Sequence, residues 1–291
     1  MLVVVGVLAL TAAAPTPDPT TKAIVALHWS KLPQRLEASN STLTPPAHVA
    51  AIRGDDAAKY EKLTNGDVDS SLEAVAVNFK TGEPVFLEYT DSGYVTVDDW
   101  KDVDTSAMLQ SIKDNTESGN AGKKAQGIAP IHVLDWIQKP TYDSATQTVR
   151  WAISAGVEGQ SEPIVNSVAL VLGRRGYEKL TWVADRNKYV GRGGMLDTVL
   201  AAQRFNPGAR YADHANGDKL AGYGLTALVG TVAGATLYKV GAFAALLLLL
   251  KKLWFLGIAA VVGAWRWIAS RLKGPQFGPA PAPSQEPPAK Q

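Results

Sequence analysis

A chain of 291 residues that is 46% hydrophobic and 19% charged has enough apolar material for a real core, which excludes a disordered protein. Its formal net charge is only +2, and no basic stripe is interleaved with aromatics, so the phosphate-neutralising footprint of a nucleic-acid binder is missing. Cysteine is absent, which excludes disulfides, thiolate catalysis and Cys-ligated metal centres.

The chain opens MLVVVGVLALTAAAPTPDPT: an apolar run from Leu2 to Leu10, the small residues Ala12 to Ala14, then a Pro-rich polar stretch. This is the pattern of a secretory signal peptide over residues 1–14, although no basic residue precedes the apolar run. The competing reading is an uncleaved anchor or a strand, for which the run is short. Secretion places the body of the chain outside the cytoplasm.

From 22 to 213, short apolar segments alternate with Gly, Pro, Asn and Asp, as in a mixed α and β domain. Strands are expected at 74–79, 84–90 and 132–137. In TQTVRWAISA, Val149, Trp151 and Ile153 fall on one face and Thr148, Arg150 and Ser154 on the other, the signature of a half-buried strand. IVNSVALVLG and YEKLTWVAD follow across the turn Gly173 to Gly176, giving an antiparallel meander. Two segments have helical period. DTSAMLQSIKDNTES begins with capping residues and aligns Met108, Leu109 and Ile112, and MLDTVLAAQRF aligns Leu196, Val199, Leu200 and Ala202. The expected fold class is therefore α+β, an antiparallel sheet with helices covering one face.

The C-terminal part changes solvent. Between Gly222 and Leu250 the only charge is Lys239, and that run exceeds the length needed to cross about 30 Å of hydrocarbon. After Lys251 and Lys252 a second apolar run, Leu253 to Trp265, is short for a span. It is either the return leg of a hairpin or an interfacial helix with Trp254, Trp265 and Trp267 at headgroup level. Residues 214–273 are thus expected to form a transmembrane helical anchor, one span or a hairpin. The Pro-rich residues 274–291 are expected to be a disordered tail.

Within the first run Gly222, Thr226, Gly230 and Gly234 recur every fourth residue and predict a flat helix face for self-association or for packing on the second apolar helix; small residues at this spacing also arise by chance. The preceding polar stretch carries Asp213, Asn216 and Asp218, which suit the N-terminal end of a long helix. The same stretch raises a metal site from Asp213, His214 and Asp218, but its spacing fits no ligand motif, and no metal or other cofactor is expected. TNGDVDS (64–70) lacks the loop and terminal Glu that calcium requires.

For chemistry, the densest set of carboxylates is in EYTDSGYVTVDDW: Glu88, Asp91, Asp98 and Asp99. A pair of them, or Tyr142 with Asp143, supplies general acid and base only if a shared cleft perturbs one pKa; the plain alternative is a solvated acidic loop. The four histidines stand in separate segments, and HExxH, GxSxG and P-loop motifs are missing. A pore of oligomerised hairpins with Lys239 facing inward is a third reading.

Several motifs occur in a fixed order: DSGYV with Asp98-Asp99, Trp136, Pro140 and Tyr142-Asp143 in W-x-x-x-P-x-Y-D, VRWAIS, LGRRG, and PGARYAD followed by GDKLAGYGLTALVG. On these the chain, from about Ala26 to Lys273, resembles the DUF2167 family of uncharacterised bacterial membrane-anchored proteins. It departs from the family pattern at Trp29-Ser30-Lys31-Leu32-Pro33 and at Ala221-Gly222. The resemblance implies an anchored protein of unknown function and supplies no catalytic residues. The expectation is a binding or scaffolding module of the cell envelope, its soluble domain outside the inner membrane. Its expected partners are lipid and a protein or a second copy; an envelope hydrolase is the alternative.

Overall fold

The computed structural model describes residues 19–125 and 127–236, all within one unit that spans Asp18–Leu249. In chain order its elements begin with α1 (Pro19–Val25), β1 (Gln34–Leu36), β2 (Ser41–Leu43), β3 (Val49–Arg53) and α2 (Gly54–Asn65). There follow β4 (Leu72–Asn78), β5 (Pro84–Thr90), β6 (Tyr94–Thr96) and α3 (Thr105–Ala125). The long strands β7 (Ile131–Asp143), β8 (Thr148–Val157), β9 (Ile164–Leu172) and β10 (Tyr177–Asp185) come next, then α4 (Met195–Leu200), β11 (Gln203–Phe205), β12 (Leu220–Gly224) and α5 (Leu225–Thr236).

Seven strands form one antiparallel sheet in the order β3-β4-β5-β10-β9-β8-β7. The expected meander is present as β8-β9-β10, with Arg150 opposite Ala169 and Ala169 opposite Leu180. The α+β class holds. What the alternation does not reveal is that both faces are covered. On β8, Val149, Trp151 and Ile153 are buried, and so are Thr148, Ala152 and Ser154 on the opposite face. That second face carries Leu87, Ala169, Leu180 and Trp182, packed against Leu36 and Leu43 of a three-stranded sheet β1-β2-β11 and against Met195, Leu196 and Val199 of α4. Each of these leucine, methionine and valine side chains contributes roughly 1.5–3 kcal/mol of burial. Small polar residues alternate with large apolar ones because they too sit under a layer.

Over β3 and β4 lies α2, bringing Tyr60 to Phe86 at 6.1 Å between ring centroids. Gly66 ends it at φ 79°, the left-handed position a helix C-terminus favours, and Asp69 Oδ1 then accepts from the Ser71 amide and hydroxyl. TNGDVDS is thus a helix end and a turn. Asp104 caps α3 by accepting from the amides of Ser106 and Ala107 at 2.9 and 3.0 Å. Met108 and Ile112 are buried along it, while Leu109 is only partly so. Asn120 of α3 bonds both the amide and the carbonyl of Ile131, closing the start of the edge strand β7. Three register shifts and Pro140 break the rest of that edge, which discourages pairing with another chain.

Two expectations require correction. The helix read through Phe205 stops at Leu200, because β11 pairs with β2, Gln203 opposite Leu43, and sheet pairing overrides local period. Gly222 is not helical: it lies in β12, parallel to β6, and α5 starts only at Leu225. The face predicted from Gly222, Thr226, Gly230 and Gly234 thus loses its first member. α5 buries Leu225, Leu228, Val229, Val232 and Ala233, a helical stripe, and it packs on α3. No helix among the described residues is long and apolar enough to cross a membrane. The expected signal segment 1–14, the part of the expected anchor (214–273) beyond Thr236 with Trp254, Trp265 and Trp267, and the expected tail 274–291 lie outside the described residues.

Candidate functional site

Four of the segments singled out in the sequence meet at one end of the sheet. The turn Gly173 to Gly176 is the junction. The carbonyl of Arg175 accepts from the Gly93 amide at 2.8 Å, and the Arg174 amide donates to the carbonyl of Ala209 at 2.9 Å. DSGYV and PGARYAD are thereby fixed to opposite sides of LGRRG. Tyr94 of β6 donates its amide to Lys219 at 2.8 Å, which ties GDKLAGYG to the same place. Gly93 at φ 95° has the Leu220 carbonyl carbon 2.8 Å from where a Cβ would stand, so neither the conformation nor the space admits a side chain.

Three rings stack there. Tyr94 lies between His214, at 3.8 Å and 15°, and Tyr211, at 4.4 Å and 24°. Tyr211 donates its hydroxyl to the carbonyl of Val95 at 2.8 Å, and burial, reinforced by the Tyr94 hydroxyl, holds its phenol in the neutral form. Beside the stack the Arg174 guanidinium grips Asp218 through two parallel bonds of 2.8 Å. Asp218 also accepts from the Ala215 amide at 2.8 Å and stands 3.1 Å from His214 Nδ1. The Arg174 pair, then the amide, hold the Asp218 carboxyl well below the usual carboxylate range. A carboxylate with a lowered folded pKa adds stability above its ordinary value near 4 and loses it as pH falls below that. Asp218→Asn should therefore lower the melting temperature near neutral pH and flatten part of the acid limb of a stability–pH curve. A wild-type curve and a variant curve of equal acid slope would contradict this.

Asp213 accepts from the amides of Gly208 and Arg210 at 2.8 and 3.0 Å. It is spent on its own turn, so Asp213, His214 and Asp218 do not converge on a cation, and no metal-binding group of three is found among the described residues. Nor do Asp213 and Asp218 serve the helix that follows. Asp99 does: its Oδ2 accepts from the Thr226 amide at 3.0 Å, while the Thr226 hydroxyl donates to the Asp99 carbonyl at 2.9 Å. Gly224 permits this approach, since a Cβ there would lie 2.5 Å from the Asp99 carboxylate. Proximity in sequence suggests the wrong carboxylate; the right one comes from more than a hundred residues away.

The other acidic candidates are dispersed. Glu88 is buried inside the sheet and paired with Lys179 at 2.5 Å, Asp91 forms an exposed pair with Arg175 at 3.4 Å, and Asp98 opens the 3-10 turn that precedes α3. Tyr142 and Asp143 line a polar cleft of about 660 Å³ with Arg150 and Arg192. There Tyr142 donates to Gln147 at 2.5 Å, and the amide of Ala145 on Asp143 keeps that carboxyl low. The carboxyl that burial and the nearby charge of Glu73 raise is Glu178, which faces the β1–β2 hairpin from inside the core. No spacing rule singles it out, and it has no access to a substrate.

A second cleft, about 600 Å³, opens between the Ala145–Thr148 turn, the end of β9, α4, β11 and Tyr211. Its floor is Leu172, Leu200 and Phe205, and Arg210 stands exposed among its lining residues. Gln203 also lines it, only 2% exposed, with its Nε2 buried and given no acceptor. An orphaned buried donor costs ~1–3 kcal/mol. The sequence carries no mark of this cleft, because Gln203, Phe205 and Arg210 fell in what reads as a helix end and a turn.

The sequence profile described as "Protein of unknown function (DUF2167)" matches residues 30–262. No curated protein matches. Among solved structures, the solution structure of cyanobacterial PsbP (CyanoP) from Synechocystis sp. PCC 6803 is similar at 9% identity and a TM-score of 0.37, covering 60% of this chain and 93% of that one.

Proposed function

Because the chain belongs to the DUF2167 family, whose function is unknown, we propose from its own residues that it is an extracytoplasmic binding or scaffolding module of the bacterial envelope, anchored at the inner membrane. One observation carries the binding reading. Motifs spread from Asp91 to Asp218 converge on a surface whose polar groups are locked to one another, beside a cleft; Asp91 and Asp99 are held there by Arg175 and Thr226, while Glu88 is paired with Lys179 inside the sheet. A preorganised surface of this kind suits recognition. Catalysis by carboxylates would need two of them in one cleft with one pKa raised, and the hydrolase alternative lacks that support. The membrane placement is supported by the signal-like start and the apolar runs after Thr236.

The helix face is a second route to partners. A Cβ on Gly230 would meet nothing within 4 Å, so a side chain there starts into open space, and Gly230→Leu closes the flat face. In native membranes this variant of the full chain should form fewer crosslinks than wild type; equal yields would sink the association reading. The absence of cysteine allows a location test in the same background. A single cysteine at the exposed Ser161 should react with an impermeant maleimide on spheroplasts. Protection of that site would place the domain in the cytoplasm. A second cysteine at Ser284 reports whether the anchor crosses once or returns.

A further inference from the structure

We propose that the cleft between the end of β9 and the β11–Tyr211 segment binds a small aliphatic carboxylate, an inference that rests on the binding-module reading. Its shape is built. Gly173 has no Cβ, and one placed there would lie 2.7 Å from the Phe205 ring, so the ring seats against that backbone and floors the cleft with Leu172 and Leu200. About 600 Å³ falls within the range of small-molecule sites, which pair an apolar lining with a few convergent polar groups.

The polar groups are donors. Gln203 Nε2 is buried in the wall without an acceptor, and a ligand oxygen would supply one once the amide turns toward the cleft. Arg210 adds a fixed positive charge. The carboxylate that also lines the cleft, Asp197, is neutralised by its ion pair with Arg150 and accepts the Gly193 amide at 2.7 Å, so it does not repel an anion. Arg204 donates to the carbonyls of Leu200 and Gln203, adding positive charge at the same wall. An apolar floor under one orphaned donor and two arginine charges selects an anionic head on an aliphatic body, and Gln203 with Arg210 on one carboxylate would fix its orientation. Free short-chain acids and the C-terminal residue of an apolar peptide share this chemistry.

The test is saturation-transfer NMR on the full chain in mild detergent, with hexanoate, N-acetyl-leucine, hexylamine and hexanol as probes. Both carboxylates should bind at about 1 mM, with hexanol weaker and hexylamine silent. Arg210→Gln and Gln203→Met should each weaken them by roughly tenfold, and Leu200→Trp should abolish binding by filling the floor. Tighter binding of N-acetyl-leucine assigns the site to peptide ends; parity assigns it to free acids. Silence from both carboxylates, equal binding of hexylamine, or variants that bind as wild type would overturn the proposal. If Gly230→Leu still reduces crosslinks when the probes fail, only the ligand class falls and the binding module stands.

Discussion

Lys179→Met should lower the unfolding free energy by about 3–5 kcal/mol, measured by urea denaturation of the full chain in mild detergent. Lys179 and Glu88 lie directly opposite each other on β10 and β5, with side chains 14% and 1% exposed. Removing the ammonium takes the Lys179 counter-charge from the buried Glu88 carboxylate in a region where Glu61 and Asp69 are also near; burial already pushes the Lys179 amine down, and those two acids pull it back. Replacing both partners, Lys179→Met with Glu88→Leu, should return stability to within about 1 kcal/mol of wild type, since a desolvated pair is roughly matched by apolar residues. A small effect of the single variant would mean that water reaches the pair.

Val229→Asp should cost a similar ~3–5 kcal/mol, because Val229 is fully buried on α5, which packs against α3, and a carboxylate there is taken out of water. Ala227→Asp, on the exposed side of the same helix, should change stability by no more than about 0.5 kcal/mol. The contrast tells a helix docked on the domain from one dissolved in lipid, where both aspartates would be harmful. Equal penalties would return α5 to the membrane, and with it the start of the anchor to Gly222.

The strands that sequence located, 74–79, 84–90 and the meander from Thr148 to Asp185, share a cause. Each is a short run rich in β-branched or aromatic residues, alternating in the case of Thr148 to Ser154, and is bounded by turn residues, so its state depends on its own side chains. The α3 cap at Asp104 was legible for the same reason. The short strands β1, β2, β6, β11 and β12 were not, because three to five residues carry no period; β2 with β11 and β6 with β12 exist only through partners far along the chain, and β1 only through its hairpin with β2. Apolar composition failed at Gly222 in the same way: Gly, Tyr and Leu after Lys219 read as lipid-soluble, whereas pairing with β6 makes them a strand.

At the candidate site the division follows the same physics. The sequence by itself determined that this is a cysteine-free, weakly charged α+β protein with ordered motifs around Tyr94, Arg174, Tyr211 and Asp218, since composition and spacing are local properties. Only the tertiary structure decided that Tyr94 stacks between Tyr211 and His214, that Asp218 answers to Arg174, that Asp99 rather than its neighbours in sequence holds Thr226, and that Gln203 opens into a cleft. Those contacts join residues dozens to more than a hundred positions apart. Their pairing is set by sheet register and by glycines that let backbones touch, and neither is written in any short stretch of the chain.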